Sequence, residues 1–372
     1  GMSLPGCAAI PAPYRERGQI AYDTGRHAVD LIRRNLTPSS IMTREAFENA
    51  IVVTSAIAGS TNCPIHLTAI ARHVGVPVTD ADWETVGGDI PQLANCAPAG
   101  EYLGEDFYRA GGVPAVMRSL LSAGCLHSGA LTVTGRTVGE NLRNAPTGCG
   151  DVITSYDKPF RPRGGFLVLR GNLFNSAIMK LSVITGEPWS RYLTTPVTWR
   201  AVVFESPEQY HRRIDDPALE IDENSILVVR NTGPVGFPGS AEVVNMQPPA
   251  ALIVRGVDTL PTMGDGRQSG TSAAPSILNI SPEAVVGGNL GILRTGDLIT
   301  LDIPAHRVDV QLSDDEIAQR RRAYTPPALT NQTPWQELFR GHTGQMDTGA
   351  CLDFAIEYQD IAHTKGLPRD SH

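Results

Sequence analysis

No apolar run in this 372-residue chain is long enough to cross a bilayer. No membrane partner is therefore expected. No greasy core opens the chain either, because Pro5, Pro11, Pro13, Arg15, Glu16 and Arg17 interrupt the first twenty positions. That pattern argues against a secretory signal and for a cytoplasmic protein. A basic stripe is missing too: 31 Lys+Arg stand against 39 Asp+Glu, for a net charge of −8. Nucleic acid is not an expected partner. None of the six cysteines, Cys7, Cys63, Cys96, Cys125, Cys149 and Cys351, forms a C-x-x-C pair. Zinc-type spacing does not occur, a disulfide framework is not expected in a long chain without a secretory signal, and the thiols are expected to be small buried hydrophobes. There is no dinucleotide fingerprint, Walker loop or H-E-x-x-H, which argues against nicotinamide, nucleotide and zinc enzymes.

What is present is an ordinary globular composition, 41% hydrophobic and 19% charged, with 37 Gly and 28 Pro. The length suggests two domains with a core large enough to need no staples. Helical spacing predicts a helix over 16–36, a second one capped by Ser39 or Thr43, and a third over 63–75 ended by Gly75. Short helices follow over 105–110, 113–123 and 138–144, with a short strand at Leu131–Thr134. Near residue 155 the character changes. The stretch 157–165, DKPFRPRGG, reads as a linker. After it come β-branched runs at 166–171, 201–206, 225–231, 251–256 and 298–303. The tail from Asp353 reads as a helix.

Four clusters carry chemistry. The densest is 263–284, MGDGRQSGTSAAPSILNISPEA. Its small residues admit close backbone approach to a ligand. Placed between a strand at 251–256 and a helix at SILN, its backbone N–H groups could meet an anion. Within it, GTSAAP (270–275) imitates the serine motif of subtilisin-like proteases, with Ser272 as nucleophile and Asp23-Thr24-Gly25 as the acid motif. A base is missing, since His27, His66, His73, His127 and His211 stand in unrelated contexts, and a triad without its base is not a triad. The second cluster, 231–249, is a Gly/Pro loop ending at Glu242. That carboxylate could bind a hard metal or merely start a helix. In the third, Ser60, Thr61 and Asn62 could cap the following helix or line a polar pocket. In the fourth, Lys180 could meet a carboxylate or simply lie on the surface.

Taken together, GSTN-x-x-IHL-x-AIARHVG (59–75), GGFLVLRGNL (164–173), GPVGFPGSAEV (233–243) and GDGRQSGTS (264–272) resemble the IlvD/Edd family of dihydroxy-acid and sugar-acid dehydratases. The resemblance runs in order to the end, through PWQELFRGHTGQMDTGACL (334–352) and TKGLPRDSH. Gln268 and Thr271 match the sugar-acid branch, such as L-arabinonate dehydratases. The amino-acid branch usually has an apolar residue and a second Gly at those positions.

The resemblance implies an α/β chain: the C-terminal portion of an α/β/α layered domain over 1–160, then a β-barrel-like domain with terminal helices over 161–372. It implies loss of water from a 2,3-dihydroxy acid, giving a 2-keto-3-deoxy acid. Ser269 would be the alkoxide base at C2, Thr271 its hydrogen-bonding neighbour and Glu242 a Mg²⁺ ligand. Ser60, Thr61, Asn62 and Lys180 are candidate substrate contacts. An iron–sulfur cluster, [2Fe–2S] in that branch, and Mg²⁺ are the implied cofactors. A sugar acid is the implied small-molecule partner, within a homodimer or homotetramer. Family members carry the cluster cysteines and remaining Mg²⁺ ligands in an N-terminal segment that precedes GMSLPG. The chain is thus expected to hold no cluster ligand, as a piece of a longer protein or an inactive truncated form. Dihydroxy-acid dehydration in branched-chain amino-acid synthesis is the alternative reaction.

Overall fold

The computed structural model describes residues 1–148, 150–186, 189–268 and 274–358. The chain is α/β and falls into two compact units. The first comprises Gly1–Ser60 with Val76–Phe166, and the second Thr61–Gly75 with the described residues from Leu167 onward.

Helices dominate the first 142 residues: α1 (Arg15–Arg33), α2 (Pro38–Ile41), α3 (Arg44–Ala56), α4 (Asn62–His73), α5 (Asp80–Thr85), α6 (Gly104–Arg109), α7 (Gly112–Ser122) and α8 (Val138–Leu142). Thr43 caps α3, its hydroxyl accepting from Ala46 N at 3.4 Å. The apolar faces of α3 and α7 build the core of the first unit from Val52, Ala56, Val116 and Leu120, closed by Leu93 and Ile153. The expected strand at Leu131–Thr134 reduces to one bridge, Leu131 with Thr137. Its turn at Gly135 brings the chain back on itself after too few residues for a ladder. The expected linker 157–165 is fastened down. Arg161 N and Gly164 N donate to Gln92 O and Ile90 O, and a Cβ on Gly164 would come within 2.4 Å of Ser55 O.

The second unit is built on eight strands: β1 (Phe166–Leu169), β2 (Ser176–Lys180), β3 (Val197–Phe204), β4 (Ser225–Val229), β5 (Thr262–Gly264), β6 (Ser276–Ser281), β7 (Leu298–Asp302) and β8 (Arg307–Val310). Their order is β1-β2-β6-β5-β4-β3-β7-β8. The inner four, β3 to β6, are mutually parallel, and β2, β7 and β8 pair antiparallel. Just past β1, Arg170 N donates to His306 O at 3.0 Å, and Val308 N donates to Arg170 O at 2.9 Å. Those bonds bring the two outer strands together, so the sheet is a nearly closed barrel.

Alternation along the strands sorts two cores. Trp199, Ala201, Ile226 and Val228 face one cluster, and Val202, Phe204, Leu227 and Val229 face the other. Outside the barrel lie α9 (Pro207–Arg213) and α10 (Ala250–Val254), then α11 (Asp314–Ala323), α12 (Pro334–His342) and α13 (Asp353–Ile356) in the last part of the chain.

Two expected elements exchange type. The run 251–256 was expected as a strand and lies instead in and after the helix α10, where only Leu252 is buried and Val254 is 88% exposed. Pro249 starts the turn and Gly256, at φ +88°, stops it. SILN was expected as a helix and is the strand β6, buried at every position. A short apolar run buried on both faces carries no period that tells helix from strand. The strand–loop–helix reading of 263–284, and with it the helix N-terminus for an anion, is therefore replaced by strand–loop–strand.

Candidate functional site

Each of the four parallel strands ends in a charged residue. Glu205 follows β3, Arg230 follows β4, Asp265 follows β5, and Glu283 comes two residues after β6. The carboxyl ends of parallel strands are where α/β sheets place their ligand loops. Here the charges hold those loops.

Asp265 is fully buried and accepts four hydrogen bonds: from Asn231 N (3.1 Å), Thr232 N and Oγ1 (both 2.8 Å) and Ala284 N (2.9 Å). Glu283, equally buried, accepts from Val235 N and Gly236 N (both 2.9 Å) and from Gln345 Nε2 (2.8 Å). Burial pushes both carboxyls above the ordinary carboxylate range, and the donated hydrogen bonds only partly offset it. Asp265 adds to the rise at Glu283 by like-charge repulsion. The glycines of these motifs follow from that packing. A Cβ on Gly233 would stand 2.6 Å from Glu283 Oε2, and one on Gly266 would stand 2.6 Å from Thr232 Oγ1. Arg230 donates to Glu205 at 2.9 and 2.5 Å and to the carbonyls of Leu290, Gly291 and Leu293.

So anchored, the 231–249 loop delivers Ser240 and Glu242. Arg267 Nε donates to Ser240 O at 2.5 Å, and Val244 N donates to Arg267 O at 3.0 Å. Across from them lies the first turn of α4. Asn62 and His66, four residues apart, share one helix face. Asn62 Nδ2 donates to Glu242 Oε1. Arg267 Nη1 lies 3.3 Å from His66 Nε2, which must then be the unprotonated ring nitrogen. Partial burial and then the Arg267 charge hold His66 below the usual imidazole value, while Glu242 pulls the other way. Glu242, Asn62, His66 and Arg267 thus form one cluster inside the second unit.

The expected site residues fall as follows. Glu242 and Asn62 come together directly. Thr61 stands at the N-cap position of α4 without a side-chain capping bond, and its carbonyl accepts from Asn279 Nδ2 at 3.0 Å. Ser60 directly precedes it in irregular chain, and Lys180, half-buried, ends β2. Ser269 and Thr271 lie outside the described residues, as does Ser272. The acid of the serine-protease imitation, Asp23, sits on α1 and accepts from Gln19 Nε2.

The expectation for the cysteines needs correction. Cys351 is buried, but Cys7, Cys63, Cys96 and Cys125 are only half-buried, and Cys149 lies outside the described residues. Burial still pushes the Cys96 thiol up to about 11, away from a reactive thiolate. Among the described residues no group of three or more His, Cys, Asp or Glu converges as a metal set. Glu242 offers one hard oxygen donor, which does not by itself make a Mg²⁺ or cluster site.

Sequence reasoning missed Arg230, Asp265, Glu283, His66, Arg267 and Asn279 as site-builders. The available signal was an apolar strand run ending abruptly in a charge: LVVR, TMGD, NISPE.

Residues 1–141 match the family described as dihydroxy-acid/6-phosphogluconate dehydratase, N-terminal, and residues 151–350 match its C-terminal counterpart. The chain is 53% identical to the D-xylonate dehydratase of Caulobacter vibrioides, over 100% of this chain and 63% of that protein. It is 42% identical to the L-arabinonate dehydratase of Rhizobium leguminosarum bv. trifolii, over 95% of this chain and 60% of that protein. With the dihydroxy-acid dehydratase of Caldanaerobacter subterraneus it shares 40% identity over 88% of this chain and 57% of that one. The chain spans less than two thirds of the length of these relatives.

Proposed function

The chain belongs to the dihydroxy-acid/6-phosphogluconate dehydratase family, and from that premise we propose that it is the larger part of a hydro-lyase acting on a sugar acid. The observation that carries the reading is the cluster of Glu242, Asn62, His66 and Arg267, with Arg267 two residues before Ser269.

In this reading Ser269, as alkoxide, takes the proton from C2 of a 2,3-dihydroxy acid, with Thr271 as its hydrogen-bonding neighbour. The electron pair of that C–H bond forms the C2–C3 double bond as the C3–O bond breaks. The hydroxyl leaves and, with a proton, becomes water. The enol then takes a proton at C3, releases the proton of its C2 hydroxyl and becomes the 2-keto-3-deoxy acid. An Fe–S cluster, [2Fe–2S] by resemblance to the sugar-acid branch, and Mg²⁺ supply Lewis acidity when bound. Glu242 would be a ligand to the Mg²⁺. Arg267 holds the Glu242 loop at Ser240 O, and neutral His66 accepts from Arg267, so the guanidinium keeps a fixed direction.

Ser60, Thr61, Asn62 and Lys180 remain candidate substrate contacts. A sugar acid is favoured over a branched-chain dihydroxy acid by Gln268. Its side chain is buried, and its Oε1 has no hydrogen-bond partner among the described residues. A sugar acid carries hydroxyls beyond C3 that can donate to it, whereas the alkyl tail of a branched-chain dihydroxy acid cannot. The division near residue 160, self-association as a homodimer or homotetramer, and a cytoplasmic setting belong to the same proposal.

The test is Ser269→Ala in the complete protein, assayed on D-xylonate and L-arabinonate. Turnover should fall by at least about a thousandfold, in the range of other lost catalytic bases, with iron and magnesium contents unchanged. Retained turnover would remove Ser269 as the base.

A further inference from the structure

We propose that Asn279 is a positioning residue, tethering the first turn of α4 to the barrel so that Asn62 meets Glu242. The proposal rests on the reading of Glu242 as part of the reacting site.

The tether starts from a fault in β6. Ser176 pairs with Ser281 and Ile178 with Leu278, so β6 carries one residue more than β2 between the two pairs. The core assignments record the same fault. Ile277 and Ile280 face one cluster and Leu278 the other, which strict alternation along a strand forbids. The extra residue is a bulge, a device that re-aims a side chain. Asn279 sits there at φ +59°, in the left-handed region that L-residues avoid and Asn tolerates best.

The fault leaves Asn279 deeply buried, at 3% exposure. Its backbone N donates to Gly266 O at 3.0 Å, on the segment that leads to Arg267. Its Nδ2 donates to Thr61 O at 3.0 Å, on the residue that precedes Asn62. Its Oδ1 has no hydrogen-bond partner among the described residues. Burying an amide with one end unsatisfied is unfavourable for folding alone. A single residue therefore connects the Gly266–Arg267 segment, through its backbone, to the turn that carries Asn62 and, four residues on, His66, through its side chain. Shape-filling would be met by Leu, and backbone conformation would be met better by Gly. Only the donor to Thr61 O requires an amide.

The experiment separates these roles in the complete protein with its native metals. Asn279→Gly relieves the φ and removes the donor. Asn279→Asp keeps the shape but turns an acceptor toward the Thr61 carbonyl. We expect Asn279→Gly to melt at or near the parent temperature, yet to lose kcat by about 10- to 100-fold, the effect of small misplacements at a reacting site. Asn279→Asp should lose at least as much. Amide hydrogen exchange over residues 61–66 should accelerate in both. Combined with Asn62→Ala, Asn279→Gly should add little further loss, because both act through one contact. Parental kcat in Asn279→Gly, or losses that simply add to those of Asn62→Ala with unchanged exchange over 61–66, would overturn the proposal. The exchange measurement needs no turnover. Faster exchange beside an active Ser269→Ala enzyme would sink the base assignment and leave the tether standing.

Discussion

At the scale of single residues, the loops are held by buried carboxylates. Glu283 illustrates how burial and hydrogen bonding compete. Three donors favour its anion, but full burial and the neighbouring Asp265 favour its acid, and the second pair wins. A raised folded value means the folded chain keeps a proton that the unfolded chain releases near pH 4.5. Its contribution to stability is then complete below that pH and declines as pH rises toward the folded value. Glu283→Gln removes this titration. The stability of the parent minus that of Glu283→Gln, from urea unfolding at several pH values, should therefore fall as pH rises from about 4.5. A difference that rises with pH would mean that the hydrogen bonds, and not burial, set the protonation state. Gly233 belongs to the same unit of design, since it leaves room for the carboxylate that Val235 N and Gly236 N grip.

At the scale of elements, a charged pair pins α11. Arg320 donates to Asp297 at 2.6 and 3.2 Å, with side chains only 10% and 9% exposed, and also to Glu316 at 2.7 Å. Removing one partner leaves a buried charge unmatched, which typically costs about 3–5 kcal/mol. Arg320→Ala should lose stability of that order in chemical denaturation, and a loss under about 1 kcal/mol would show that water reaches Asp297. Elements also show where local sequence is a sufficient guide. The helices α1, α3, α4, α6, α7 and α8 follow from spacing and caps, as do β1, β3, β4 and β7 from β-branched runs. The exchange of type at α10 and β6 has one cause. Both are short apolar runs, and what distinguishes them is whether a neighbouring strand lies alongside. For β6 that neighbour is β5, paired through Thr262–Ser276 and Met263–Ile277. No window of sequence around β6 contains it.

For the whole molecule, closure of the barrel sets the stability gradient. The strands β4 and β6 are buried at every position, whereas the 19-residue α1 has no buried residue. In native-state hydrogen exchange, the amides of β4 and β6 should open only with global unfolding, and those of α1 much earlier. Equal protection of α1 and β4 would contradict that gradient. In the first unit, a cavity of about 310 Å³ is lined by Arg118, Ser119, Thr154 and Tyr156. Arg118 already donates to Ala145 O, Ser119 Oγ accepts from Tyr156 N, and Thr154 Oγ1 donates to Leu93 O. Those groups are committed to the fold, in contrast to the cluster around Glu242. Among the described residues no helix is long and apolar enough to cross a membrane.

The sequence by itself determined the order of α1, α3, α4, α6, α7 and α8, the change to β-rich chain near residue 160, the family, and the motifs that hold Glu242 and Arg267. These are local properties: spacing, capping, turn residues and short strings of fixed identity. Tertiary structure decided what each string is for. The charges that end four parallel strands become loop anchors only when the strands lie side by side, and the glycines around them are explained only by carboxylates distant in sequence. Asn62 and Glu242 stand 180 residues apart and meet because α4 folds into the same compact unit as the barrel. Asn279 acquires its role from one extra residue in a strand, a feature visible only against the partner strand that lacks it.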